Sequence, residues 1–324
     1  MIFRDSAVLN AVIILVLLPP AIFSSILLYK KRQRLQLKKE RRKRKAFWSI
    51  GYMESETPFN WTPSKAKIVS PKDVDEDMFI IADPFLFEFN AERYLFFEAM
   101  KDDAETAYIE CAKFNHDQQC WNFLGAVLEE PFHLSYPQVF EHDNQIYMIP
   151  ESKQARRIGL YKATDFPTRW EYIKPLVADK KLVDSSIIEW NNHWYLFTSR
   201  KKKLYLYHAD SLLGEWQPHP KSPIRRGNFS RCAGRILKID KKLHRLAQDQ
   251  RGYGAGVYAF EIQALSPTLY REIALKNINP ILNPGDADWC ETGMHHLDLV
   301  PTQNGFFGVF DGEHFKLKNP IKSH

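Results

Sequence analysis

The sequence has few cysteines, and they form no pattern. The four cysteines among 324 residues include no Cys-x-x-Cys pair, and no His/Cys cluster has the spacing of a zinc site. A glycine-rich phosphate loop, a Gly-x-Ser-x-Gly elbow, a His-Glu-x-x-His helix and a Walker A sequence are also missing. We therefore predict no metal and no cofactor, and the sparse cysteine is typical of a reducing compartment.

Positive charge is scarce outside one short run. Residues 30–45 contain eleven Lys or Arg and one Glu, a charge of +10, whereas the whole chain carries +6 and residues 1–29 are neutral. The remaining residues therefore carry about −4. A mildly acidic folded part argues against nucleic acid as a partner.

Residues 7–29 contain no charged side chain and are long enough to span a bilayer. We expect residues 1–29 to form a transmembrane anchor; a cleaved signal peptide is the alternative, although the basic residues follow the apolar run instead of preceding it. The basic juxtamembrane segment at 30–46 predicts a folded domain on the cytoplasmic side and attraction to an anionic membrane surface.

Helical periodicity is nearly absent after residue 46. Residues 47–78 are expected to be an irregular lead-in, and residues 79–324 contain a hairpin that recurs about every 50 residues. The five copies are DPFLFEFNAERYLFFEA, PQVFEHDNQIYMIPE, SSIIEWNNHWYLFTS, GRILKIDKKLHRLAQD and HLDLVPTQNGFFGVFDG. With further strand pairs between the copies, this pattern predicts an all-β, five-bladed β-propeller; a β-sandwich is the alternative that fits the spacing less well.

The first strand of each blade lines the central channel of a propeller, so polar residues at equivalent strand ends are expected to converge. The Asp83-Pro84 pair interrupts its strand, because proline cannot donate to a sheet ladder. Asp83, Glu151 and Asp184 are the candidate catalytic residues, since glycosyl transfer uses an acid and a base or nucleophile with a third carboxylate to tune them. The candidate substrate-binding residues are Tyr136, Arg235, Gln248, Asp249, His295, His296 and Asp298. Asp311-Gly312 is expected to be a turn.

Several of these segments resemble one known domain. ADPFLFEFNAERYLFFEA, LSYPQVFEHDNQIYMIPES, LVDSSIIEWNNHWYLFTS, LAQD and HHLDL resemble the N-terminal β-propeller of the plant glucosamine inositolphosphorylceramide transferases. The resemblance implies that Gln248 and Asp249 match a Gln-Asp pair of that family. In the plant proteins a glycosyltransferase module follows the propeller, and this sequence ends shortly after the last predicted blade.

A weaker resemblance, at the level of the fold, connects the chain to arabinanase-type propellers. It implies that Asp83 matches their base and that Asp184 lies near their pKa-tuning aspartate, but their acid comes from a different blade than Glu151. We therefore expect a membrane-anchored, carbohydrate-active propeller of the glycosyltransferase type, or a component that works with a partner glycosyltransferase. Its expected substrate is a sugar, a nucleotide sugar or a lipid-linked glycan. Two alternatives remain open: a glycoside hydrolase or phosphorylase, and a non-catalytic module that binds a glycan or a protein.

Overall fold

The computed structural model describes residues 44–317, of which residues 47–314 form one compact unit. The predicted membrane span at 7–29 and residues 30–43 of the basic segment lie outside the described residues. Within residues 44–317, no helix has both the length and the apolar character needed to cross a bilayer.

Twenty-one strands account for most of the described residues. Their bounds in chain order are β1 (Arg44–Ser55), β2 (Lys67–Val69), β3 (Met78–Phe89), β4 (Glu92–Lys101), β5 (Tyr108–Asn115), β6 (Cys120–Leu128), β7 (Ser135–His142), β8 (Gln145–Glu151), β9 (Ile158–Asp165), β10 (Arg169–Val177), β11 (Val183–Trp190), β12 (His193–Ser199), β13 (Lys203–Ala209), β14 (Gln217–Pro218), β15 (Arg225–Arg226), β16 (Arg231–Ile239), β17 (Lys242–Gln248), β18 (Val257–Leu265), β19 (Tyr270–Ala274), β20 (Leu297–Thr302) and β21 (Gly305–Leu317). Among the described residues, helical structure is limited to a four-residue helix α1 (Pro71–Val74) and two 3₁₀ turns, Pro63–Lys65 and Asp288–Cys290.

The strands form five groups around one axis. Four groups are β3–β6, β7–β10, β11–β15 and β16–β19, and the fifth contains β20, β21, β1 and β2. The fifth group is joined to the first by a single parallel bridge between Trp48 and Ile80. The first strands β3, β7, β11, β16 and β20 contact their neighbours in turn, and β20 contacts β3, so the ring closes. This arrangement confirms the all-β propeller predicted from the repeating hairpin.

The expectation of an irregular lead-in at 47–78 is wrong. Strand β1 lies between β21 and β3, and β2 pairs with β1 in antiparallel register, so the N-terminal side of the domain completes the last blade. Gly51 makes this packing possible, because a Cβ at that position would lie 2.6 Å from the Trp289 ring. The pairing of β1 with β21 joins segments that are more than 200 residues apart in the sequence, so the local sequence pattern does not predict it.

An apolar layer separates each pair of neighbouring blades. Five buried clusters occupy the five interfaces, and each contains side chains from both blades: Phe97 and Phe307, Phe96 and Val139, Leu160 and Ile187, Phe197 and Ile236, and Leu246 and Leu299. Burial of such side chains stabilises a fold by about 1.5–3 kcal/mol each. Side-chain packing therefore holds the blades together, and apart from the Trp48–Ile80 bridge the strand ladders stay within each blade.

Glu110 in β5 is a buried carboxyl on the outer part of the first blade, away from the axis. Burial raises the pKa of Glu110 to about 7. Because this folded-state pKa lies above the unfolded value, the stabilisation is complete below about pH 4.5 and is lost as pH rises through 7.

We predict that Glu110→Gln raises the free energy of unfolding at pH 8 by about 1–2 kcal/mol, a figure reduced for solvent screening. At pH 4.5 the variant and the parent should be equal, since both side chains are then neutral. Urea unfolding at the two pH values measures this difference, with the exposed Glu141→Gln as the matched control. An equal effect at both pH values would contradict the assignment.

Candidate functional site

Three first strands are interrupted at the same place by a residue with left-handed backbone. Asp83, Tyr136 and Asp184 have φ angles of 49°, 49° and 46°, and the ladder register shifts at each of them. In the fourth blade Gly234 takes this place with φ 145°, and a Cβ there would lie 1.9 Å from the Leu297 carbonyl oxygen. Such bulges leave strand polar groups unpaired and redirect side chains. They bring the predicted residues to the channel.

Tyr136 connects different blades through hydrogen bonds of its hydroxyl. Its hydroxyl accepts a hydrogen bond from the Gly234 amide (2.6 Å), lies 2.8 Å from the Gly234 carbonyl and lies 3.1 Å from Ser186 Oγ. Its ring is fully buried. Tyr136 was predicted to bind substrate, but no part of it faces solvent.

Arg235 and Asp298 form an ion pair farther along the channel, in which Asp298 is fully buried and the Arg235 side chain is 21% exposed. Asp298 accepts two hydrogen bonds from the Arg235 guanidinium, at 2.5 and 2.7 Å, and a third from the Leu86 amide at 2.7 Å. Arg235 also donates to the Leu86 carbonyl. These contacts connect β3, β16 and β20. Arg235 and Asp298 were predicted to bind substrate, but their charges are paired with each other.

The centre of the site is a pair of carboxyls with opposite ionisation. Arg231 donates to both oxygens of Asp184 (2.5 and 3.0 Å), and Gln248 Nε2 donates to Oδ2 at 2.6 Å. Burial would raise the pKa of Asp184, but the Arg231 charge overcomes it and holds the pKa below its ordinary value. Burial and then the negative charge of Asp184 raise the pKa of Glu151 well above its usual range. Glu151 also accepts a hydrogen bond from the Asp184 amide at 3.2 Å.

A second charged group lies beside Asp83. His295 Nδ1 is 2.7 Å from Asp311 Oδ2 and 3.7 Å from Asp83 Oδ1, while Asp311 accepts hydrogen bonds from the His295 and His296 amides. Burial would lower the pKa of His295, but the Asp311 charge raises it to about 9. The His295 ring also stacks on Trp48 and contacts the Tyr253 hydroxyl at 2.9 Å. His295 is therefore an imidazolium at neutral pH.

Asp311 was predicted to be part of a turn, and this prediction is wrong. It is fully buried within β21, where Gly305–Leu317 continues as a strand because β1 pairs with it. His296 is buried beside Asp83, with its Nδ1 3.5 Å from Asp83 Oδ1 and its ring edge-on to Phe85 and Tyr136.

Donor atoms of Asp83, His295 and Asp311 lie within 4.8 Å of one another, a spacing that suits a cation. A metal ligand must be a neutral imidazole, so a cation at this position would displace the proton from His295. The three residues can therefore either share a proton or hold a cation, and the two states exclude each other.

Two carboxylates differ from the sequence prediction: Asp249 has another role, and Glu98 was not predicted. Asp249 is held by Arg251 through its amide and guanidinium, so its carboxylate organises the loop after β17. Glu98 was missed, although it lies opposite Ala82 just as Glu151 lies opposite Ser135. Glu98 is 3.2 Å from His133, and burial raises the pKa of Glu98. The same hairpin position that singled out Glu151 would have found it.

The family model described as "Glucosamine inositolphosphorylceramide transferase 1, N-terminal" matches residues 41–313. The chain is similar to glucosamine inositolphosphorylceramide transferase 1 of Oryza sativa subsp. japonica, with 34% identity over 246 residues that cover 72% of this chain and 33% of the relative. The protein of that name from Arabidopsis thaliana is 31% identical over 297 residues, or 82% and 39% of the two chains. The chain thus spans about a third of the length of these curated relatives.

Solved structures share the fold at low identity. The α-L-arabinofuranosidase of Podospora anserina superimposes with a TM-score of 0.57 and 15% identity, over 80% of this chain and 99% of the other. A β-1,2-mannobiose phosphorylase from Listeria innocua gives a TM-score of 0.54 and 14% identity, over 74% and 93%. At such identity the likeness concerns the propeller fold alone.

The His295–Asp311 pair predicts a pH-dependent stability. Since the pKa of His295 is about 9 in the folded state and about 6.5 when unfolded, the stabilisation is complete below pH 6.5 and lost as pH rises through 9. Asp311→Asn removes the charge that holds this proton, so we expect a loss of about 3 kcal/mol at pH 7 that shrinks toward pH 10. Urea unfolding across this range measures the loss.

The exposed Asp210→Asn is the matched control for this variant, because Asp210 is 95% exposed and a surface charge contributes little. A parallel pH profile for Asp311→Asn and the parent would show that the pair does not set this dependence.

Proposed function

Because the chain belongs to the family of the N-terminal domain of glucosamine inositolphosphorylceramide transferase 1, we propose that its propeller binds a glycan or an activated sugar and takes part in glycosyl transfer. The named relatives are transferases, and this chain spans only about a third of their length. The proposal therefore rests on the chemistry of the channel as well as on the family.

The observation that carries the proposal is the contact between Glu151 and the Arg231-bound Asp184, two carboxyls whose pKa values are shifted in opposite directions. A protonated Glu151 supplies a general acid, while Asp184 stays ionised in the grip of Arg231. Carboxyls whose pKa values are pushed apart in this way are typical of glycosyl-transferring sites. Asp184 has two roles here, since its charge keeps Glu151 protonated and its amide orients the Glu151 carboxyl.

Asp83 is the proposed base or nucleophile. Its Oδ1 is buried without a hydrogen-bond partner among the described residues, and it lies between the His295 and His296 rings. Its negative charge contributes to the raised pKa of Glu151, so the two carboxyls share one electrostatic environment. The His295 proton, held by Asp311, balances negative charge at this side of the site.

Hydrolysis of a glycoside is the second candidate function. A nucleoside diphosphate leaves a sugar without protonation, whereas a glycosidic oxygen needs an acid. The protonated state of Glu151 favours a substrate that requires one. Transfer to an acceptor hydroxyl and departure of the same alcohol use one subsite, so product analysis with and without an acceptor decides between the two functions.

We predict that Glu151→Gln lowers turnover of a sugar substrate by about 10²–10⁴ while binding is kept. Activity of the parent should fall as pH rises through the raised pKa of Glu151, and also as pH falls through the lowered pKa of Asp184. A thermal-shift screen of the full chain with nucleotide sugars and oligosaccharides identifies the ligand, and product analysis then gives the rates.

Glu141→Gln, an exposed carboxyl on the same blade, is the control for this experiment. If no sugar stabilises the parent, the sugar site is wrong and a protein-docking module becomes the better explanation. Equal turnover in Glu151→Gln and Glu141→Gln would remove Glu151 as the acid.

We also propose that residues 7–29 anchor the chain in a membrane and that the propeller faces the cytoplasm. The uncharged run and the eleven basic residues at 30–45 support this topology. We expect protease added to intact cells to leave the propeller uncut and to cut it after permeabilisation. Cleavage in intact cells would overturn the orientation.

A further inference from the structure

A pocket of about 260 Å³ opens beside the proposed acid. His133, Glu151, Lys153, Gln154 and Lys181 line it. They come from three segments: the loop between β6 and β7, the end of β8 with the loop after it, and the loop between β10 and β11. The pocket therefore lies where the first, second and third blades meet the channel mouth.

The walls of this pocket are fixed by hydrogen bonds between the three loops. The His133 amide donates to Gln154 Oε1 at 3.0 Å, and the Lys180 amide donates to the Arg156 carbonyl at 2.8 Å. Arg156 Nη2 donates back to the Asp179 carbonyl at 3.0 Å. These bonds hold Lys153 and Lys181 on opposite loops around one opening.

The two lysines differ from the other basic groups nearby. Arg157 lies over the Tyr172 ring, and Lys180 donates to the Tyr207 hydroxyl. Within the described part of the chain, Lys153 and Lys181 have no carboxylate within ion-pair distance, and both are exposed to solvent at the pocket. The third cationic group, His133, pairs with Glu98 at the inner side.

The pocket contains more basic than acidic side chains, because Lys153, Lys181 and His133 share it with the single carboxyl of Glu151. Burial raises the pKa of Glu151, which weakens the negative charge opposite the lysines. Ammonium groups are compact donors that suit phosphate oxygens, and each can contribute several donors without a fixed plane. A charged oxyanion is the ligand that this set of groups recognises best.

We propose that Lys153 and Lys181 form a phosphate-binding subsite beside Glu151, which takes the phosphate group of a phosphorylated acceptor or leaving group. The inference rests on the proposed function, because it places the phosphate-bearing alcohol on the side of the reaction where Glu151 exchanges its proton with oxygen. The alcohol oxygen lies at Glu151 and its phosphate lies at the two lysines. A free phosphorylated sugar or nucleotide and the headgroup of a phospholipid share this chemistry.

The test uses the purified full chain in detergent or in vesicles, at constant ionic strength because salt screens such contacts. The probes are inorganic phosphate, uridine diphosphate and vesicles of phosphatidylcholine with or without phosphatidylinositol. The test variant is the pair Lys153→Gln with Lys181→Gln. The matched control is Lys201→Gln with Lys221→Gln, two exposed lysines outside the pocket that have no ion pair in the described residues.

We expect at least one probe to bind the parent and the control equally, and to bind the Lys153/Lys181 variant at least tenfold more weakly by titration. Pocket-dependent binding of phosphate or uridine diphosphate identifies a soluble phosphorylated ligand. Pocket-dependent binding of phosphatidylinositol vesicles alone identifies a lipid headgroup. If every probe binds the two double variants alike, the subsite is wrong and the lysines are solvated surface charges.

The sugar screen separates this failure from failure of the proposed function. Sugar binding and Glu151-dependent turnover that persist without pocket-dependent phosphate binding leave the proposed function intact and remove only the subsite. Pocket-dependent phosphate binding in a chain that binds no sugar keeps the anion site and removes the proposed glycosyl chemistry.

Discussion

The structure depends on how backbone polar groups are satisfied along the channel. Each first strand pairs with the second strand of its blade on one edge, but its inner edge borders on other first strands. The bulges in these strands leave amides and carbonyls without a ladder partner in the interior. Unpaired buried groups cost about 1–3 kcal/mol each, so a partner is required. In each case described here the partner comes from another blade. The hydrogen-bond partners of these backbone groups are Gln138 for Ile187, Glu151 for the Asp184 amide, Tyr136 and Ser186 for the Gly234 carbonyl, Arg235 and Asp298 for Leu86, and Asp311 for the Asp83 amide.

This constraint separates two classes of polar residue that look alike in the sequence. The polar groups of Arg235, Asp298 and Tyr136 bond to other blades, so these contacts have a structural explanation. Nearer the channel mouth, Glu151 accepts a hydrogen bond from the next blade. Asp83 Oδ1 has no hydrogen-bond partner among the described residues. Both carboxyls belong to the same cluster of charges. The candidate site is therefore the part of the inter-blade network in which the groups are not all consumed.

The sequence was sufficient to predict the features that repeat locally. Five hairpins at a regular spacing predicted the propeller, and the polar interruption at Asp83 and Asp184 predicted their place at the axis. It was insufficient for contacts between distant segments. Strand β1 closes the ring by pairing with β21, which is distant in the sequence. Because of this pairing, Asp311 lies in a strand and not in the predicted turn. Arg231 is not among the predicted site residues, because its partner, Asp184, lies 47 residues away.

The distribution of charge bears on function more than its sum does. The net value outside the basic run is slightly negative, which argued against nucleic acid, yet the mouth contains a local excess of positive charge at Lys153 and Lys181. Nucleic acid recognition needs a basic stripe along several phosphates. Two exposed lysines around one pocket suit a single phosphate attached to a small alcohol. Burial and the charges of Asp184 and Asp83 raise the pKa of Glu151. Because this shift also weakens the charge opposite the lysines, the proposed acid and the proposed phosphate subsite depend on the same group of carboxyls.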